Sequence, residues 1–404
     1  MPVSTAATAS TAVAARPLPP IAARIDAALA CMDAEIDWLL ALSPIHNEAL
    51  WRSFEASGRS EIPALRYNDL DLDLHATREK LLALPMEDIE SPLLSALLAE
   101  KQRELDRQIE LIRLRGTDGF VNASLDLFGG VEPPLHKLAE EILRNVQPGA
   151  RLQADAGIDE VVSAVEDELD WYRARSSEFG CEVIVDEDLS SMMMVSHGRF
   201  YVDAHIRLPH ARVQPLIQHE IGTHLVTRHN GRRQSLKQLE VGLAHYDPLQ
   251  EGLGVLAEYL AGYLPGERLR ILAARVLAAD MAIHGEDVPA IFDFLHAIHG
   301  IPTDDAFDVA VRARRGGGLT KDAVYLRGLR DLLDYLADDG DFESLFVGKF
   351  ALSHHVALAQ LIDEGWVVEP DLLPRYCELP DAQARLARCR TIPVTEFFHK
   401  EPAA

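Results

Sequence analysis

Residues 199–231 read RFYVDAHIRLPHARVQPLIQHEIGTHLVTRHNG, and the spacing of apolar positions changes period within this stretch. In RFYVDAHIRL, Phe200, Val202, Ala204 and Ile206 alternate with Tyr201, Asp203, His205 and Arg207, the two-residue period of a strand with one buried face. From Val213 onward, Val213, Ile217, Ile221 and Leu225 recur at every fourth position, the stripe of an amphipathic helix. Pro215 suits the first helical turn, where its missing N–H is no loss, and Asn230–Gly231 supplies a stop. A strand thus leads directly into a helix that carries His219 and His224.

On the N-terminal side, CEVIVDEDL (181–189) and SMMMVS (191–196) are also strand-like, and His197–Gly198 reads as a hairpin turn. Met192, Met193 and Met194 read as core rather than as metal or cofactor contacts. Beyond these strands the period is helical. Ile25, Leu29, Met32, Ile36, Leu39 and Leu40 mark a helix ending at Ser43–Pro44. Further helices are predicted over 77–84, 91–115, 135–146 and 159–175, with the Gly- and Pro-containing stretch 122–134 as a break and the acidic stretch 69–73 as a solvated loop. On the C-terminal side, PLQEGLGVLAEYLAGYL (248–264) begins a run of helices to about residue 298. Arg314-Arg315-Gly316-Gly317-Gly318 then opens another helix, with Thr320 as its N-cap. No internal repeat is evident.

Composition narrows the function. Of 404 residues, 48% are hydrophobic and 25% charged, which is globular rather than disordered. The net charge of −25 argues against a nucleic-acid footprint and against an anionic membrane surface. No apolar run approaches the length of a membrane span. Cys31, Cys181, Cys377 and Cys389 lie far apart, with no CxxC pair and no sign of a disulfide framework. Residues 1–19 are Ala/Ser/Thr-rich without the apolar core of a signal peptide, so they read as a disordered leader on a cytoplasmic protein.

His219-Glu220-Ile221-Gly222-Thr223-His224 is the central chemical signal. Two imidazoles with a carboxylate beside the first are what a catalytic zinc site takes from one helix: the rings hold Zn²⁺ and the carboxylate accepts a proton from water. The familiar spacing puts the histidines four apart on one face. Here they are five apart, and five residues of regular α-helix turn the second ring roughly 140° away from the first. The two can share a metal only if the helix widens, for which a π-bulge is the natural device. Gly222 makes that distortion cheaper. Glu251, 32 residues beyond His219 and on another helix, is a candidate third ligand. Against this stands the ordinary role of a histidine as a structural or capping residue. Glu258, two turns after Glu251, reads as a solvated or helix-pairing glutamate sooner than as a support for the site.

HEIGTH followed by QEGL resembles the bacterial family named for its QEGLA motif and called flavohemoglobin expression-modulating, whose eukaryotic relatives are the microtubule-associated tyrosine carboxypeptidases. LSPIHNEALWRSF, SLDLFGG, RRGGGLTKDAVYLRG and LFVGKFALSHH are similar to family blocks as well. The resemblance implies zinc ligands His219, His224 and Glu251, with Glu220 as catalytic base. It departs at Gly254, where the family has Ala, a change read as one of helix packing and not of a ligand. It also favours the glycine loop as an anion pocket for a substrate's terminal carboxylate, with Arg315 and Lys321 as binding residues and Lys349 as a weaker candidate. Tyr325, His197, His245 and His354 are candidates for the oxyanion donor.

The reading is therefore an α+β, predominantly helical chain with a zincin-like core, in which a small antiparallel sheet packs beside the HExxxH helix. A helical region, 20–176, precedes the zinc-binding core, 177–265, and a second helical region, 266–404, follows it, the whole of 20–404 forming one compact domain. The expected activity is zinc-dependent removal of a C-terminal residue, aromatic by analogy with the eukaryotic relatives, from a peptide or protein. The rivals are a regulatory or binding protein that keeps the zinc fold without hydrolysis, a helical structural protein with incidental histidines, and an endopeptidase or amidase on the same metal.

Overall fold

Phe200 and Val202 are fully buried while Tyr201 and Asp203 are partly exposed, so the strand Arg199–Asp203 (β3) has the one-faced character of its alternation. It ends five residues short of the predicted stretch, although Ile206 and Leu208 stay buried. The computed structural model describes residues 14–402 apart from 37, 46, 70–72, 150–151, 188, 190 and 316–317. Most of the expected leader, the middle of the acidic stretch 69–73, and Gly316 and Gly317 of the glycine loop lie outside the described residues.

The strands Glu182–Asp186 (β1) and Met193–Ser196 (β2) flank β3 in the order β1-β3-β2. His197 and Gly198 make the β2–β3 turn with φ of 47° and 76°, the left-handed pair of a tight hairpin. β2 is antiparallel to β3, but β1 is parallel to it. The sheet is mixed, not antiparallel as expected. After β1 the chain passes to the far side of β3 before turning back, and apolar alternation carries no information about which neighbour a strand takes. Of the three consecutive methionines only Met193 is core; Met192 is 48% exposed.

Helices surround this sheet. Leu74–Leu82, Pro133–Asn145 and Ile158–Arg173 lie close to their predicted places, but the first helix, Pro20–Glu35, ends at an extended Ile36 instead of continuing to Ser43–Pro44, and Trp38–Leu42 is a separate short helix. Pro92–Leu114 starts where the sequence puts it, with Ser91 Oγ accepting from the Leu94 amide at 3.4 Å, a normal N-cap. The predicted break over 122–134 is mostly a helix, Phe120–Phe128, and only Gly129 to Glu132 separate it from the next. Phe120, Ala123 and Leu127 bury one face of it, a stripe that the following glycines masked. Thr320 is likewise not a cap. It lies inside the short 3₁₀ turn Leu319–Ala323, fully buried, and its hydroxyl donates to the Ser124 carbonyl at 3.0 Å. One contiguous apolar core takes in residues from Leu18 to Phe397. No described helix is long and apolar enough to cross a membrane.

A buried ionic cluster braces the helices beside the sheet. Lys101 is fully buried and its ammonium lies 3.2 Å from Asp33 and 3.0 Å from Glu104. Asp33 also accepts from the Trp38 indole at 2.6 Å, and Glu104 from the His245 amide at 2.7 Å. The cluster ties Pro20–Glu35 and Pro92–Leu114 to the loop that leads into the helix Asp247–Leu260. Removing the cation leaves two carboxylates without their counter-charge. Lys101→Met is expected to cost about 3–5 kcal/mol of unfolding free energy, read as a lower denaturant midpoint.

Candidate active site and metal centre

Histidines five positions apart can face one another only where the helix widens, and the structure widens there. His210–Ile217 is α-helical, Gln218–Leu225 is π-helical, and Val226–Arg232 returns to α. Thr223 Oγ1 donates to the Gln218 carbonyl five residues back, at 3.3 Å. A Cβ on Gly222 would meet Gln218 Oε1 at 2.6 Å, so the missing side chain is used. The His219 and His224 rings come to a centroid separation of 5.2 Å. A ring nitrogen from each and a Glu220 carboxylate oxygen all lie within 4.8 Å of one another. Two details differ from expectation. Pro215 sits inside the α-helical segment, beyond its first turn, and Asn230–Gly231 lie within the last segment rather than ending it. Asn230 is fully buried and its amide donates to the Phe346 and Leu372 carbonyls at 2.7 and 2.8 Å.

The helix Asp247–Leu260 faces this turn, and most of QEGLG makes a contact that matters. Gln250 Oε1 is 3.3 Å from His224 Nδ1 and accepts from Thr227 Oγ1 at 2.9 Å. Glu251 Oε2 is 3.6 Å from His219 Nε2. Gly252 meets the backbone of Gly328, where a Cβ would stand 2.6 Å from the carbonyl, so two helices cross in contact. A Cβ at Gly254 would lie 2.5 Å from His219 Cε1 and 2.6 Å from Nε2. Gly254 therefore bears on a ring of the site, contrary to the reading that it alters only helix packing. Glu258 is fully buried: its carboxylate lies 3.0 Å from His219 Nδ1 and accepts from Arg212 at 2.7 Å and Arg268 at 3.2 Å. It is a support of the site, not a solvated glutamate. Its i, i+7 spacing from Glu251 pointed to this role, and its burial against Arg212 and Arg268 decides it.

Glu220 Oε2 accepts from the Val195 amide of β2 at 2.9 Å, which couples the sheet to the carboxylate. Burial raises Glu220 to about 7, against the opposing charge of His219. Burial would also raise Glu251, but His219 and His224 overcome it and hold Glu251 at about 2. The His219 ring, which burial lowers, is brought up to about 10 by Glu251 and Glu258; burial takes His224 down to about 4. The two carboxylates are thus held far apart in acidity by their surroundings.

His224 and Glu251 open onto a cavity of about 460 Å³. Val195, Ser196 and His197 line it, as do the apolar side chains of Ala27, Ala30, Leu111, Leu127 and Phe128. Lys321 and Lys349 also line it, but Arg315 and Tyr325 do not. Lys321 is bound to Asp247. Arg315 is 4% exposed, and burial with the nearby Arg312 pushes it down to about 10. The expected partnership of Arg315 with Lys321 at the substrate is therefore not formed on this wall: the guanidinium is turned into the protein. Tyr325 lies under Arg275, 5.3 Å from ring centroid to guanidinium, and burial followed by the Glu251 charge raises its phenol. His354 pairs with Glu100 at 2.9 Å, and neither it nor His245 lines the cavity; His197 does.

Among the described residues, His219, Glu220 and His224 form the group that could hold a metal ion. Each ring has its Nδ1 against an acceptor, leaving Nε2 to point elsewhere. Ligands about 2.0–2.1 Å from a tetrahedral ion stand about 3.3–3.5 Å apart, and Glu251 and His219 are at 3.6 Å. Glu251, the expected third ligand, stands beside His219 but is not one of that group of three. Glu258→Gln leaves Arg212 and Arg268 poorly compensated and loosens the His219 ring. It is expected to cost about 3–5 kcal/mol of stability and to weaken zinc uptake about 10–100-fold, measured by denaturant unfolding and by chelator competition.

Comparison with known proteins places the chain. The family model for microtubule-associated tyrosine carboxypeptidases matches residues 52–393, which takes in the sheet, the π-helical turn, QEGLG and the three cavity lysines. No curated protein matches the chain significantly. By the extent of that match, the chain belongs to the microtubule-associated tyrosine carboxypeptidase family.

Proposed function

We propose that the protein is a zinc-dependent metallocarboxypeptidase that removes one C-terminal residue, preferably aromatic, from a peptide or protein. The observation that carries this is the π-helical turn, which gathers His219, His224 and Glu220 within 4.8 Å, with His224 and Glu251 lining the cavity and Glu251 across from His219. A bound zinc supplies Lewis acidity, making water more acidic and polarising the scissile carbonyl. Glu220 takes the proton of the attacking water and passes it to the leaving amine. Its tether to the Val195 amide holds the carboxylate in one orientation, which keeps the proton acceptor in place. Gln250 and Glu258 orient the two imidazoles. Ala27, Ala30, Leu111, Leu127 and Phe128 in the cavity lining suit a hydrophobic side chain, and the family's name points to tyrosine. Nothing in the chain ties the substrate to tubulin.

The test is metal analysis of wild type and Glu220→Gln, with both incubated against peptides varied at the C-terminus and read by mass spectrometry. One zinc in each, with single-residue trimming only by the wild type, is the expected result. The variant should lose about 10²–10⁴-fold in rate, and chelation should silence the wild type until zinc is restored. Zinc without cleavage favours the regulatory or binding reading. Internal cleavage replaces the exopeptidase by an endopeptidase, and absence of metal from both proteins removes the metal centre.

A further inference from the structure

Four cationic side chains line the cavity, and three of them are accounted for. Arg228 pairs with Glu240 at 2.8 Å, Lys321 is bound to Asp247, and Lys237 is exposed. The fourth, Lys349, has no carboxylate within ion-pairing reach and no hydrogen bond to its ammonium among the described residues. The Tyr246 ring centroid lies 5.7 Å from the nitrogen. This chain has 64 acidic residues against 39 Lys and Arg, so an ammonium left unpaired on the wall of a site is not for want of partners. Burial and the neighbouring Arg228 push Lys349 down to about 8, which Asp247, Asp33 and Glu251 only partly offset.

The backbone beneath it is rigid. The Lys349 amide donates to the Leu239 carbonyl at 2.8 Å, and its carbonyl accepts from the Leu243 amide at 3.0 Å. Gly348 packs onto Leu239, where a Cβ would come within 2.7 Å. Phe346, Val347 and Phe350 are buried on either side. The side chain therefore rises from a fixed floor into the cavity that His224 and Glu251 share. An unpaired cation in a partly desolvated pocket is best satisfied by an anionic group brought by a ligand.

We infer that Lys349 is the anchor for the terminal carboxylate of the substrate, and that it makes this site an exopeptidase site. The inference rests on the carboxypeptidase reading. It also moves the anion-binding role away from Arg315 and from the Asp247-bound Lys321.

The test uses one peptide in two forms, with a free C-terminal carboxylate and with a C-terminal amide, on the zinc-loaded full chain. Wild type should favour the acid by about 30–100-fold in kcat/KM, as expected for one hydrogen bond to a charged group. Lys349→Met should lose that preference, mainly through KM and only on the acid, while Lys349→Arg retains most of it. Binding of both peptides to Glu220→Gln, with and without Lys349→Met, is measured by calorimetry so that recognition is read apart from turnover. A Lys349→Met protein that keeps the acid preference in binding overturns the assignment, as does an equal loss on acid and amide. A Lys349-dependent preference in binding without wild-type cleavage retires the peptidase reading and leaves the anchor standing.

Discussion

The five-residue separation of His219 and His224 is a geometric constraint that the rest of this structure serves. A regular α-helix would turn the rings onto different faces, so Gln218–Leu225 must run as a π-helix. Such a turn is uncommon and is held by its surroundings. Here the hold comes from within, through the Thr223 hydroxyl on the Gln218 carbonyl and the bare Cα of Gly222. It comes also from the ordinary α-helical segments on either side, anchored by buried Arg212 and Asn230.

The helix Asp247–Leu260 is the second half of the device. Its close crossing with Val324–Ala337 depends on Gly252 and Gly328 meeting backbone to backbone. That crossing sets Glu251 opposite His219, Gln250 against His224 and Gly254 against the His219 ring. Four ionisable groups, Glu220, Glu251, Glu258 and His219, are packed into one interior region. The interior tolerates them because Arg212 and Arg268 meet Glu258, and because His219 lies between Glu258 and Glu251. Polar groups so buried are stable only as a connected set, which is why supports such as Glu258 matter as much as the residues at the cavity wall.

What the sequence made legible was local. The strand-to-helix switch of 199–225, the His197–Gly198 turn and the need for a π-turn follow from side-chain period, from turn chemistry and from residues per turn. Each involves groups within a few positions of one another. The misreadings were of two kinds. Gly129 and Gly130 hid a helix whose stripe, Phe120, Ala123 and Leu127, ends just before them. Thr320, Arg315 and Glu258 were given roles that suit exposed residues, but all three are buried. Burial is a property of what packs above a residue, and that is not local information.

By itself, then, the sequence determined the mainly helical character of the chain, its three strands, and the group of His219, Glu220 and His224 on one widened turn. These depend on backbone geometry over a handful of residues. Tertiary structure alone decided that β1 joins β3 in parallel, that Glu251 reaches His219 while Arg315 does not reach the cavity, and that Lys349 is left without a counter-charge there among the described residues. Those outcomes turn on which distant segments meet and what water they exclude, and pairing, desolvation and charge compensation exist only between segments already brought together.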